Sequence, residues 1–249
     1  MTPPTRKETR DWKWLLPTGI TVLALIAGST WKLRDEFSKI DRRIARIETA
    51  VRIIGAKQGG DTKTLIDEAL AVAKAASDNG RTENAKAAMD IANRLLAERK
   101  NAQELAPQEF FDAAITRYKE LKKSPTLAQA AWEGTIRLAE YRSATNALPA
   151  GSVAVHIGEM SQRGNFRYLR DSLIAGQNAI RTPGCDGFEL DGWYIENVVF
   201  EDLTICYRGR PAILTNVRFV NCQFDVEESP KAEELMEAAV KESVTVAIG

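Results

Sequence analysis

The stretch RGNFRYLR, residues 163–170, sets three arginines against two aromatic rings. Arg163, Arg167 and Arg170 carry planar guanidinium forks that match phosphate oxygens two at a time and lie flat on π-faces. Phe166 and Tyr168, interleaved with them, are the ring type on which nucleobases stack along a single strand. Between residues 148 and 224 every basic residue is arginine, adding Arg181, Arg208, Arg210 and Arg218. The candidate ligand-binding set is therefore Arg163, Arg167, Arg170, Arg208, Arg210 and Arg218 with Phe166 and Tyr168, and the implied ligand is an oligonucleotide or another phosphate-bearing molecule. The plainer reading of the same residues is ion pairing with the eight Asp and Glu of that segment.

Little else points to chemistry. His156 is the only histidine and has no partner at an interpretable spacing; a pairing with Cys185 or Cys206 has nothing to bring the residues together. The three cysteines, Cys185, Cys206 and Cys222, show neither metal-ligand spacing nor a disulfide framework, which fits a reducing compartment. Gly55 and Gly60 have the spacing of phosphate-loop glycines, but Asp61 stands where the lysine is needed and a helix precedes them. No metal, cofactor or catalytic residue is expected. The sequence reads as a binding protein and not as an enzyme.

The elements that position these residues follow from pattern. The chain has 249 residues and zero formal net charge, enough for one large or two small domains. The charge is uneven: residues 1–60 hold twelve Lys/Arg against six Asp/Glu, and residues 225–249 hold two against seven. After a tail at 1–13, residues 14–31 (WLLPTGITVLALIAGSTW) contain no charge and are bracketed by Trp12, Trp14 and Trp31. They predict a short transmembrane helix in contact with membrane lipid. A signal peptide cleaved near Ala27–Ser29 is the competing reading. More Lys/Arg follow the segment than precede it, which predicts a single pass through a bacterial inner membrane with the C-terminal domains in the cytoplasm. Thr18, Thr21 and Gly28 share one face of that helix. They are close-packing contacts or the lining of a narrow pore.

Leu33, Phe37, Ile40, Ile44, Ile47, Val51 and Ile54 alternate in steps of four and three. This is the seam of a coiled coil over residues 32–55, with Phe37, Ile44 and Val51 at a and the others at d. β-Branched residues at both positions favour three or four strands over two, so a homo-oligomer, trimer or tetramer, is expected. The alternative is a lone amphipathic helix lying on its own domain. A hinge at 56–61 leads to a helical module at 62–147. Within it, Asp78-Asn79-Gly80 makes the turn of a first hairpin, and Gly80, Ala85, Met89 and Ala92 give that hairpin a resemblance to a tetratricopeptide unit. Two more helices begin near Pro107 and Pro125, with Ser124 as an expected cap. Phe110, Phe111, Ile115, Tyr118 and Leu121 give one an apolar face; Ala131, Trp132, Ile136, Leu138 and Tyr141 do so for the other.

Residues 148–226 change character. NVVFEDLTI (197–205) aligns with NVRFVNCQF (216–224) at an offset of 19. Leu190, Ile195, Phe200 and Ile205 recur at steps of five, as do Leu214, Phe219 and Phe224. Two residues before each stand Phe188, Trp193, Val198, Leu203, Ala212, Val217 and Cys222. This resembles the pentapeptide-repeat family, which implies a small right-handed β-solenoid with those two positions pointing inward. Residues 227–249 predict a helix capped by Ser229-Pro230 that covers one end, then an acidic tail. The expected fold class is thus α+β: transmembrane helix, parallel coiled coil, helical hairpins, β-solenoid head and capping helix. The order of elements also resembles small membrane effectors of bacterial anti-phage systems, with the DNA-gated effector of the Hailong system as the comparison. That resemblance implies a ligand-sensing head that gates a pore or a membrane-disrupting helix bundle. The other class is a passive membrane-anchored scaffold whose head docks a protein.

Overall fold

The computed structural model describes residues 38–45, 47, 62–148, 160–176 and 184–248. Helix α1 covers residues 38–45. A four-helix layer follows: α2 (Thr62–Asp78), α3 (Thr82–Ala102), α4 (Gln108–Lys122) and α5 (Ala128–Thr145). Each presents one apolar face to a shared core. Ala69, Ala73 and Ala76 of α2 and Ala85, Ala88 and Ala92 of α3 are fully buried, and such small side chains let the two helices approach closely. Phe110, Phe111, Tyr118, Trp132 and Tyr141 fill the wider space beyond them. Pro107 is the extended N-cap residue of α4. Ser124 does not cap α5, whose N-cap is Leu127; its hydroxyl instead meets those of Ser77 and Thr126, each at 3.0 Å.

Among the described residues, eight strands form two sheets. They are β1 (Met160–Arg163), β2 (Phe166–Ala175), β3 (Phe188–Glu189), β4 (Trp193–Glu201), β5 (Thr204–Tyr207), β6 (Ala212–Val220), β7 (Gln223–Val226) and, after helix α6 (Pro230–Ala239), β8 (Val244–Ile248). The five-stranded sheet has order β1-β2-β4-β6-β8, and the three-stranded sheet has order β3-β5-β7. Phe188 of β3 against Trp193 and Phe200 of β4, and Phe219 of β6 against Phe224 of β7, join the two inner faces at ring separations of 4.8–5.4 Å.

All fourteen residues of the five-step pattern are buried, yet the winding differs from the solenoid the repeat predicts. The register offset is 26 between β2 and β4 (Arg167↔Trp193) and 19 between β4 and β6 (Tyr194↔Ile213). It is 17 between β3 and β5 (Phe188↔Ile205). Antiparallel strands, β1 and β8, close both edges of the larger sheet. The solenoid assignment is corrected accordingly: a mixed sheet and a small parallel sheet enclose one core, with no constant rung. The inward residues are spaced two, three, two because a left-handed residue fills each three-step. These are Gly192 at φ 76° and Asn197, Asp202, Asn216 and Asn221 at φ 50–54°. The Asn and Asp side chains bond one another between strands. Asn216 donates to Asn197 at 2.9 Å, Asn197 to Asp171 at 3.0 Å, and Asn221 to Asp202. Asn and Asp tolerate this backbone region because their short polar side chains bond locally.

The membrane assignments are corrected as well. The segment 14–31, with Thr18, Thr21 and Gly28, lies outside the described residues, as do the tail 1–13 and the hinge 56–61. Among the described residues no helix is long and apolar enough to cross a membrane, which conflicts with the single-pass inner-membrane placement. The longest, α3, carries Glu83, Lys86, Asp90, Arg94 and Glu98 along its length and has the charge pattern of a surface helix.

Helices and sheets form one continuous core. The end of α5 is stitched to β6 and β7: Asn221 N donates to Ser143 O at 2.9 Å, Cys222 N to Ser143 Oγ at 2.7 Å, and Asn146 Nδ2 to Phe219 O at 2.9 Å. Ser229 caps α6 by accepting from Ala232 N at 3.1 Å. The acidic C-terminal region faces the basic edge of α4, where Lys119 meets Glu237 at 2.7 Å and Lys122 meets Glu228 at 2.8 Å. Val244–Ile248, expected as a tail, form β8.

Cys185 and Cys206 are joined in a disulfide, which overturns the expectation of unpaired cysteines. Cys222 is free and buried, and burial pushes its thiol pKa up to about 12. A thiol-specific reagent at neutral pH is therefore expected to find no reactive group in the folded, oxidised chain, one after unfolding and three after reduction and unfolding. A thiol reactive in the folded chain would show the pairing to be otherwise.

Candidate ligand-binding face

The RGNFRYLR segment folds as the β1–β2 hairpin, with Gly164-Asn165 as the turn and Gly164 in the left-handed region at φ 63°. Alternation along β2 turns Leu169 inward and leaves Tyr168 half-buried on the outer face. The parallel register sets Tyr168 beside Tyr194 of β4; their ring centroids are 5.1 Å apart. The Arg163 guanidinium lies over both rings, 4.7 Å from Tyr194 and 5.6 Å from Tyr168. No carboxylate among the described residues forms an ion pair with it. Tyr168 donates its hydroxyl to Glu196 at 2.6 Å, and this bond raises the phenol pKa above its ordinary value. The platform is two tyrosine rings capped by one exposed cation.

Arg167 sits at the rim. The register places it beside Trp193, its guanidinium is 4.4 Å from the indole ring, and it donates to Asp191 O at 2.9 Å. Phe166 is half-buried on the hairpin, and Arg170 lies 3.9 Å from Asp171.

The other candidate arginines are held by carboxylates. Arg208 is paired with Asp225 and lies 3.6 Å from Glu227. The hydrogen bond from Arg208, helped by its charge, holds the Asp225 carboxyl below the ordinary range. Arg210 reaches Glu189 at 3.3 Å, and Arg218 reaches Glu242 at 3.2 Å. The buried Asp191 accepts the backbone N–H groups of Arg208 at 2.7 Å and Arg210 at 2.5 Å, fixing the β5–β6 turn. Three arginines thus serve the architecture, while Arg163, Arg167 and Tyr168 come together with two rings absent from the sequence-derived set, Tyr194 and Trp193.

Of the seam residues, Ile40 and Ile47 are buried in the chain's own core and Ile44 packs against it. Leu33, Phe37, Val51 and Ile54 lie outside the described residues, as does His156. A polar cleft of about 340 Å³ opens where α3 meets the smaller sheet, lined by Lys100, Asp186, Asp202, Thr204, Asn221 and Gln223. Its lysine is engaged by Glu140 at 2.9 Å. Among the described residues no group of three His, Cys, Asp or Glu is placed to hold a metal ion.

No protein-family model, curated protein or solved structure matches the chain at a significant level.

Proposed function

We propose that this protein is a ligand-sensing protein whose head binds a single-stranded oligonucleotide, or a shorter ligand of the same phosphate-and-base chemistry, on the Arg163–Tyr168–Tyr194 face. The observation that carries this reading is the Arg163 guanidinium, stacked on two tyrosine rings and paired with no described carboxylate. A structural arginine on this head looks different: Arg208, Arg210 and Arg218 are each paired with a carboxylate. Rings and guanidinium together offer what a single strand recognises, stacking for a base and a fork for the adjoining phosphate. Arg167, at the rim, supplies a second phosphate contact.

Fluorescence anisotropy of the full chain with labelled single-stranded DNA and RNA, against a duplex of equal length, tests it. Single strands are expected to bind and the duplex to bind more weakly, because paired bases do not present their faces. Two phosphate contacts predict that log affinity falls against log salt with a slope of about −1.4, at ~0.7 per contact for single strands. Absence of saturable binding, or a duplex bound as tightly as the single strand, would overturn the proposal.

A further inference from the structure

Helix α1 uses the same apolar face that the heptad pattern would use for self-association. Ile40 and Ile47, both at d positions, are 5% and 0% exposed, and Ile44, at a, packs against the chain's hydrophobic core. Polar contacts fasten the helix from outside that face. Asp41 accepts from Arg81 in a bidentate pair at 2.9 and 3.2 Å and from Asn84 at 2.7 Å, and Arg43 lies 3.5 Å from Glu68. The fastening residues on the domain are therefore Glu68 of α2, Arg81 beside α3 and Asn84 within it.

We propose that α1 is a shared element with two mutually exclusive partners: the α2–α3 hairpin of its own chain, and the α1 face of further copies of this chain. The exclusion is steric, since a side chain with no exposed surface has none left for a neighbour. The second partner is named by the seam itself. Isoleucine at a (Ile44) and at d (Ile40 and Ile47) favours three- and four-stranded coils over two. The Asp41–Arg81–Asn84 cluster then works as a latch whose opening frees the seam, so assembly is controlled at residues that take no part in the seam packing. Nothing in this inference depends on the oligonucleotide reading.

The test changes the latch from the domain side and leaves the heptad untouched. Arg81→Glu sets a carboxylate against Asp41. The mass of the full chain in solution is then measured by light scattering across a concentration series. The wild-type chain is expected at the mass of one copy and Arg81→Glu at three or four copies, with the single-copy mass restored when Ile44→Asp is added. Far-ultraviolet circular dichroism checks that the helices persist. Glu68→Arg, which opposes Arg43, gives a second route to the same release if Arg81→Glu does not fold. A wild-type chain already assembled through the seam would overturn the proposal, and so would folded latch variants that keep the mass of one copy.

Discussion

Gly187→Ala is expected to destabilise the folded chain by about 3 kcal/mol or more, the upper end of what overpacking costs. Gly187 lies directly before β3, where the chain crosses the start of β5. A Cβ built there would stand 1.9 Å from the Thr204 carbonyl oxygen and 2.7 Å from its carbon. The obstacle is backbone within a paired strand, so no rotamer change relieves it. Thr204 is held through the register that pairs it with Gln223, and moving it displaces Phe188 and Ile205, both buried in the inter-sheet core. Gly184→Ala makes the contrast. Gly184 lies in the left-handed region at φ 88° with nothing within 4 Å of an added Cβ, so only the backbone cost of about 1–2 kcal/mol applies. Urea unfolding monitored at the buried tryptophans separates the two, because a shift of midpoint at constant slope reports stability alone. Equal midpoints for the two variants would mean that β3 and β5 do not approach as described.

How much of this was legible in the sequence depends on what each pattern encodes. The helical layer was readable because Asp78-Asn79-Gly80 marks a turn and the faces around Phe111 and Tyr141 are periodic. The five-residue step identified the buried positions of the head, since it records which side chains point inward. It does not record which strand lies beside which, and so it misassigned the winding. Asn197, Asp202, Asn216 and Asn221 stand two residues after Ile195, Phe200, Leu214 and Phe219. That recurrence was the available sign of left-handed residues inside long strands. Tyr194 escaped the candidate site because its neighbour Tyr168 is 26 residues away, outside the 19-residue repeat, and only the register unites them. Cys185 and Cys206 were missed for the same reason: their meeting depends on how the segment before β3 lies against β5. The heptad described a seam but not whose helices would fill it. Burial of Ile40 and Ile47 in the chain's own core is a property of the α2–α3 surface, which a one-dimensional period does not contain.

Tyr194→Ala is expected to weaken binding of a single-stranded oligonucleotide by about fivefold to somewhat over a hundredfold, from ~1–3 kcal/mol for one base–aromatic stack at 1.4 kcal/mol per tenfold. Folding stability should change little by comparison, since the ring is half-buried on the outer face of the sheet. Arg163→Ala removes a phosphate fork and the cation over both rings, so its effect on affinity is of similar size. The two losses should not add. The guanidinium rests on the Tyr194 ring at 4.7 Å, each residue positions the other, and neighbours in contact are coupled. The double variant should therefore lose less than the product of the single losses. Arg163→Lys separates the parts further: it keeps the charge but not the planar fork or its stacking, so it should restore the salt dependence without the full affinity. Arg218→Ala is the discriminating control. It deletes an equal charge from the same head, but one already spent on Glu242 at 3.2 Å, and affinity should move less than about twofold. Should Arg218→Ala and Arg163→Ala weaken binding equally, the affinity would come from diffuse positive charge, and the tyrosine platform would have no part in recognition.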